Sequence, residues 1–512
     1  MDRAKSALFS SRLDERLGQR LVAGAVACAL VVAAACSTGP TRSSEPAPQD
    51  WTPEAEQDPR SEATRPAEPS PEFALPAESA GNGESRTEPG PADGHPTEAV
   101  SGSRGLIAAA GPIGMRLMRP SGEVVGELGR DHIVTQPTWS RDGRRLAATL
   151  INPASGAAQI AVVDIATGNI DTAAALQPYF FYSWSYDGSR LLALGPGQTG
   201  GTTAFILDET GAPVSNATLL SQSMYVAWEP GGSRLLVHAG HRLMLVNDVD
   251  SPRDHHDYGP VGVDFLAPAW VPGTQDFLYV DSYGQAPPDA AEQELLDRRS
   301  ITRPQLLRRS ADTGEITDLG PAGLYAMMAV HPFGDRAAIS AASHEPPGST
   351  SDGTEPDSQP GQNAQPGSDT GIPAGSVQIV DLATAERRTV LDKIGLWLEW
   401  SPDGRQLLIA ANSDDPDGIS MSWHIWDGQQ SYELARFAPT ATFFRDYVWF
   451  ADQYNETPRL WSPDSDAITF GANTIDGDIT AVARLNRAGA MTSLGPSDVS
   501  FWSPPRPEDP VP

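Results

Sequence analysis

Trp400-Ser401-Pro402-Asp403-Gly404 recurs in imperfect copies along most of the chain, and its recurrence decides the fold. Clear copies are Trp139-Ser140-Arg141-Asp142-Gly143, Trp184-Ser185-Tyr186-Asp187-Gly188, Trp228-Glu229-Pro230-Gly231-Gly232 and Trp461-Ser462-Pro463-Asp464-Ser465. Trp270-Val271-Pro272-Gly273 and His331-Pro332-Phe333-Gly334-Asp335 are degraded ones. Each lies between two apolar runs, the second about five residues long, such as Arg145 to Leu150 or Gln406 to Ala410. Two short apolar runs flanking an Asp-Gly turn predict a β-hairpin. The Asp side chain bonds the backbone of its own turn, and Gly takes the positive φ the turn needs. The tryptophans at 139, 184, 228 and 270 are 42 to 45 residues apart, the length of one four-stranded propeller blade.

The chain start predicts how the blades close. Leu106 to Ala110, Met115 to Met118 and Val124 to Leu128 read as three strands, matching the second, third and fourth of later units. The missing first strand stands at the other end, in Asp498-Val499-Ser500-Phe501-Trp502-Ser503-Pro504. The expectation is an all-β propeller of eight four-stranded blades, closed by pairing of the C-terminal strand with the N-terminal strands. If the unit around Trp270 or His331 is not a full blade, the ring has seven.

These repeats resemble the TolB-type, WD-repeat-like propellers of envelope proteins and of prolyl-oligopeptidase-type enzymes, over roughly residues 105–505. The resemblance implies the fold and leaves function open, because propellers host unrelated activities.

Residues 1–36 read as a lipoprotein signal peptide. Bases at Arg3, Lys5, Arg12, Arg16 and Arg20 precede an apolar run from Leu21 to Ala35, short for a membrane span and suited to a signal core. Val32-Ala33-Ala34-Ala35-Cys36-Ser37 resembles a bacterial lipobox, with Ala33 where Leu or Val is usual. That resemblance implies acylation of Cys36 and a membrane anchor, the alternatives being ordinary secretory cleavage after Ala35 and an uncleaved anchor. Residues 37–104 turn to Pro, Glu, Ser, Thr, Gly and Ala, a composition unable to bury enough apolar area to fold. They are expected to tether the folded part to the bilayer over a reach on the order of 100 Å. Residues 506–512 form a tail.

The formal charge is -30, which repels phosphate backbones and argues against nucleic acid as partner. The two cysteines, Cys28 and Cys36, both precede the tether, so the folded part has no internal disulfide and no cysteine zinc site. No G-x-S-x-G or G-x-x-x-x-G-K motif occurs. The Asp residues of the turns serve their own hairpins, and Asp254-His255-His256-Asp257 on a strand would point its two imidazoles to opposite faces. Neither a metal nor a cofactor is expected.

Four insertions lengthen the units. In 285–304, Asp289-Ala290-Ala291-Glu292 forms a capping-box pattern that predicts a short helix over Gln293 to Arg299. The segment 344–376 is acidic and of low complexity, 412–419 carries Asp414, Asp415 and Asp417, and 438–457 is rich in aromatic residues. The first three fall between second and third strands and the fourth between successive units, so strand alternation predicts one common face. The expected contacts of a binding surface there are Tyr447, Trp449, Asp452, Gln453, Tyr454 and Arg459, aromatic bodies and polar tips suited to a peptide or sugar. The alternative for these aromatics is packing of the long loop onto the ring.

The functional expectation is a lipid-anchored, extracytoplasmic binding or scaffold module of the bacterial envelope, with an envelope protein or glycan as partner. Alternatives are an envelope glycan lyase or hydrolase using axial acids, and an accessory subunit of a transporter or sensor complex. Ligand, oligomeric state and envelope layer are not set by the sequence.

Overall fold

The repeated turn folds as its side chains dictate. In the computed structural model, Ser140 Oγ donates to Asp142 Oδ1 at 2.6 Å and accepts from the Arg145 amide at 2.9 Å, while Asp142 Oδ1 also takes the Arg144 amide. Ser185 with Asp187 and Ser401 with Asp403 repeat the arrangement. Gly143, Gly188 and Gly404 hold φ of 67°, 68° and 69°, a region costly for residues with a Cβ. In Trp461-Ser462-Pro463-Asp464-Ser465 the serine that replaces Gly adopts φ 60°.

The structure describes residues 105–175, 178–196, 201–221, 224–232, 234–250, 254–262, 265, 267–287, 289–342, 375–413, 420–454, 459–474 and 477–505. Cys36, the tether 37–104, the insertion 344–376, Asp414, Asp415, Asp417 and the tail 506–512 lie outside the described residues, as does the side chain of Trp449. The described residues belong to one compact unit, Pro71–Ser413 with Ser420–Pro512.

They form six four-stranded antiparallel sheets and one of seven strands. The first strands of five of the four-stranded sheets are Ile133–Trp139, Phe181–Trp184, Met224–Trp228, Ala269–Trp270 and Leu324–Val330. The seven-stranded sheet starts at Gly395–Trp400 and continues through Ala438 and Pro439 into the strands Ala467–Thr474, Gly477–Arg484 and Met491–Pro496. Trp461 adds an antiparallel bridge to Ile468. The remaining sheet mixes the chain ends: Val499–Trp502 pairs with Ile107–Gly111, placing Trp502 opposite Ile107 and Val499 opposite Ala110. The units around Trp270 and His331 each supply a full four-stranded sheet. This succession of antiparallel sheets fits a β-propeller.

The repeat tryptophan joins one sheet to the next. Trp184 Nε1 donates to Thr138 O, Trp228 Nε1 to Ser183 O, Trp270 Nε1 to Ala227 O, Trp400 Nε1 to Ala329 O and Trp461 Nε1 to Glu399 O, at 2.9 to 3.1 Å. Trp139 Nε1 reaches Phe501 O at 3.4 Å. In each case the acceptor is the residue just before the preceding unit's tryptophan position. Val330 occupies that position in the fifth unit, and His331 takes the serine's place, its amide bonding Arg336 O as the Ser401 amide bonds Gln406 O. The indoles are essentially fully buried, so each combines large apolar burial with a satisfied donor.

The insertion 285–304 does hold a helix, α1, spanning Glu292–Ile301. Its N-cap is Ala291, with no side-chain cap bond, so the expected Asp289 capping box is not used. Asp289 and Ala290 are instead taken up in a turn in which the Ala290 amide bonds Pro287 O.

Candidate functional site

The insertion 438–457 runs inward. Thr440 caps a second helix, α2 (Ala441–Asp446), accepting from the Phe443 amide at 3.0 Å. Its hydroxyl also donates to Asp498 O, and Thr442 Oγ1 donates to Asp498 Oδ2. A 3₁₀ turn over Val448–Phe450 follows. Phe443 packs against Trp397, Tyr447 against Phe501 and Tyr454 against Phe181, with ring centroids 5.0 to 5.8 Å apart. The segment therefore touches the innermost strands of several sheets at once.

Its last residues fasten to those strands by hydrogen bonds. Gln453 Oε1 accepts from the Val226 amide and Nε2 donates to Val226 O, at 3.1 and 3.0 Å, closing on that residue as a neighbouring strand would. Asp452 Oδ2 accepts from the Ala267 amide at 2.7 Å. Tyr454 Oη donates toward Gln136 Oε1 and Phe180 O. Burial holds the Tyr447 and Tyr454 hydroxyls in their neutral form, well above the ordinary phenol range.

Beneath this plug lies a cavity of about 380 Å³. Asp452 and Gln453 of the insertion line it together with the first-strand residues Val226, Met328 and Glu399 and the third positions of seven of the repeated turns. Those third positions are Pro230, Pro272, Pro332, Pro402 and Pro504, with Arg141 and Tyr186 in the two units that lack proline there, while Pro463 of the remaining turn does not line the cavity. The Arg141 guanidinium carbon sits 3.5 Å from the centroid of the Tyr186 ring. Arg459 adds a second cation.

Both carboxylates of the cavity are held by the protein. Asp452 Oδ1 accepts from the Gln453 amide in addition to the bond to Ala267. Glu399, 6% exposed, accepts from Trp397 Nε1 and from the Leu460 amide on both oxygens, at 3.1 to 3.2 Å. Its removal from water pushes its pKa up to about 7, against the opposing pull of Arg459 and these donors. Glu399 thereby binds the next unit through its carboxylate and, by its carbonyl, through Trp461.

Of the residues expected to form a binding surface, Asp452, Gln453 and Arg459 line this cavity. Tyr447 and Tyr454 are buried behind it at 1% and 2% exposure, because their rings pack the insertion into the ring's interior. The repeated turns supply many of the remaining lining residues. Arg141, Tyr186 and Glu399 were not singled out by the sequence. Their signal is positional: Arg and Tyr stand where other units have Pro, and Glu399 precedes Trp400 where the clear earlier copies carry Thr138, Ser183 and Ala227.

No protein-family profile matches this chain, and no curated protein matches it. Solved structures similar to it include TolB from Acinetobacter baumannii, at 14% identity and TM-score 0.31 over 64% of this chain and 62% of that chain. This chain thus spans less than two thirds of that TolB structure. The structure of a TolB from Agrobacterium tumefaciens is similar at 14% identity and TM-score 0.31, over 58% of this chain and 91% of that one. Dihydro-heme d1 dehydrogenase NirN is similar at 10% identity and TM-score 0.48, over 80% and 77%. The fold itself rests on the sheet topology above.

Proposed function

We propose that this chain is an extracytoplasmic binding module: a closed ring of eight blades, held to a bacterial envelope membrane by lipid on Cys36, receiving its ligand in the axial cavity. Seven internal units and the sheet shared by the chain ends supply the eight blades. The pairing of Val499–Trp502 with Ile107–Gly111 supports closure, since it leaves neither end as a free inner edge. The envelope location rests on the N-terminal pattern and agrees with the TolB resemblance. No helix among the described residues is long and apolar enough to cross a membrane. The partner is an envelope protein or glycan.

The observation that carries this reading is the cavity itself. A propeller axis open at both ends is a channel; the bonds of Asp452 and Gln453 to Ala267 and Val226, beside a cavity they line, support residues 440–454 as a plug that turns it into a pocket. Its size suits a small ligand or a short stretch of a larger one, and it carries a few convergent polar groups among apolar walls. The test is site-specific photo-crosslinking in cells, with p-benzoylphenylalanine at Tyr186 beside the cavity and at Tyr432 on an outer strand. Capture of an envelope component from position 186 alone supports the reading, and capture from neither or equally from both overturns it. The anchor is tested separately: Cys36→Ala shifts the protein from membranes to the soluble fraction.

Catalysis is a second reading, favoured by one observation: a buried carboxyl with pKa near 7 beside an arginine is a common arrangement at acid-base sites. Against it, Glu399 and Asp452 already accept bonds from backbone amides that join elements of the fold, so both carboxyl groups are tied to structural partners. An accessory role in a transporter or sensor complex is compatible with binding at the same cavity.

A further inference from the structure

The plug leaves and rejoins a single strand. On its N-terminal side Ala438 stands opposite Asn473 and Pro439 opposite Ala472 of the strand Ala467–Thr474, and the Thr440 amide bonds Gly471 O at 3.4 Å. On its C-terminal side the chain returns to the same strand: the Thr469 amide bonds Leu460 O at 2.8 Å, Trp461 bridges Ile468, and the Ser462 amide bonds Ala467 O at 2.8 Å. One edge of that strand is taken by Gly477–Arg484, so both stems of the plug lie along the other.

The two stems share one register. Thr440 faces Gly471 and Leu460 faces Thr469, which leaves one position on each side, Arg459 and Phe470. The bonded positions also alternate without a break. Thr440, Leu460 and Ser462 on the stems take Gly471, Thr469 and Ala467 on the strand, every second residue, as an antiparallel ladder requires. Ala438, Pro439, Thr440, Arg459, Leu460 and Trp461 thus read as one six-residue first strand ending in the repeat tryptophan, the length of Gly395–Trp400 in the unit before. Residues 441–458 interrupt that strand instead of joining two units. The described part of the excursion, 441–454, reaches other units: Gln453 bonds Val226, Asp452 the Ala267 amide and Tyr454 the Gln136 side chain. It also brings Asp452 and Gln453 to the cavity.

We infer that residues 441–458 are a self-contained insert, dispensable to the sheet that carries it and decisive for what the cavity binds. This rests on the cavity being the binding site, and it names the segment that gives the site its specificity. Excision of 441–458 joins Thr440 to Arg459 in register. An excision one residue shorter shifts the pairing by one and turns the side chains before it to the wrong face. Excision also takes the rings of Phe443, Tyr447 and Tyr454 away from Trp397, Phe501 and Phe181, so the shortened chain melts at a lower temperature than the intact one.

The test compares the full chain with Δ441–458 and Δ442–458 by thermal denaturation, hydrogen–deuterium exchange and the photo-crosslink from position 186. Δ441–458 is expected to unfold cooperatively and at a higher temperature than Δ442–458. Its Thr469 amide keeps its protection, its Val226 amide loses it, and capture from position 186 is lost. Gln453→Gly combined with Tyr454→Ala loosens the plug without shortening the chain, and it covers the case in which Δ441–458 fails to fold. The same pattern is expected there, with Thr469 protected and Val226 not. Joint loss of protection at Thr469 and Val226 in the double variant, or a Δ442–458 chain more stable than Δ441–458, makes the segment part of the sheet and overturns the inference. Undiminished capture from position 186 by Δ441–458 overturns the role in specificity and leaves the cavity as the binding site. Absence of capture by the intact chain strikes the cavity reading itself, and this inference with it.

Discussion

The indole Nε1 of Trp139 donates to the carbonyl oxygen of Phe501 at 3.4 Å, across 362 positions of sequence. The same bond recurs between five other pairs of successive units, so the contact between the first complete unit and the sheet shared by the chain ends follows the rule of those contacts. Trp502, by contrast, buries an indole N–H without a hydrogen-bond partner among the described residues. Trp139→Phe is therefore expected to cost about 1 to 2 kcal/mol, from the lost bond and lost bulk, and Trp502→Phe at least about 1 kcal/mol less. Urea denaturation of the two variants measures the difference, and equal losses would deny the bond any separate role.

The plug is fixed at Gln453. Replacing it with Leu leaves the Val226 amide and carbonyl buried without their partners, which costs about 2 to 3 kcal/mol. The Val226 amide should at the same time lose protection from hydrogen exchange, while amides of outer strands keep theirs.

Glu399 predicts a pH dependence whose sign follows from burial. The native carboxyl is pushed up to about 7 from the ordinary 4.5, so across that interval the unfolded chain gives up a proton that the native state keeps. Its contribution to stability is fully present below about 4.5 and is lost as pH rises through about 7, a change of about 3 kcal/mol. Glu399→Gln removes this dependence. The stability difference between variant and wild type should move in the variant's favour from pH 4.5 to pH 8, and a constant difference would contradict the burial account.

Gly404 and Gly231 share a positive φ, 69° and 74°, but differ in surroundings. A Cβ on Gly404 would stand 2.6 Å from His331 Nε2, whereas one on Gly231 meets nothing within 4 Å. His331 Nε2 also donates to Gly404 O at 2.8 Å, and its Nδ1 lies 2.6 Å from Asp335 Oδ1. Gly231→Ala is expected to cost about 1 kcal/mol for backbone strain alone, and Gly404→Ala distinctly more. Thermal denaturation of the pair separates strain from clash.

The turns were legible in the sequence because their chemistry is local. Serine, aspartate and glycine at fixed spacing satisfy one another within five residues, so each copy announces its own hairpin. The strand completing the N-terminal sheet was legible too, since Val499-Ser500-Phe501-Trp502 repeats the start of a unit and then stops. The direction taken by residues 438–457 was not. Aromatic residues in a long loop carry no period, and Tyr447 and Tyr454 would look the same facing solvent or the axis. What settles it is a set of partners far away in sequence, Val226, Ala267 and Gln136. Arg141 and Tyr186 lay between the two cases: each reads as a harmless variation of one turn, and only their alignment around a common axis makes them neighbours. The cap of α1 shows a smaller failure of the same kind, where a local pattern at Asp289 yielded to a turn at Pro287.

Hydrogen–deuterium exchange across residues 440–454 tests most directly whether that segment seals one end of the axis and so creates the cavity. The Phe444, Tyr447, Gln453 and Tyr454 amides, each bonded within the segment, are expected to exchange as slowly as those of the inner strand Met224–Trp228. Exchange of these amides at the rate of an unstructured peptide would contradict the account.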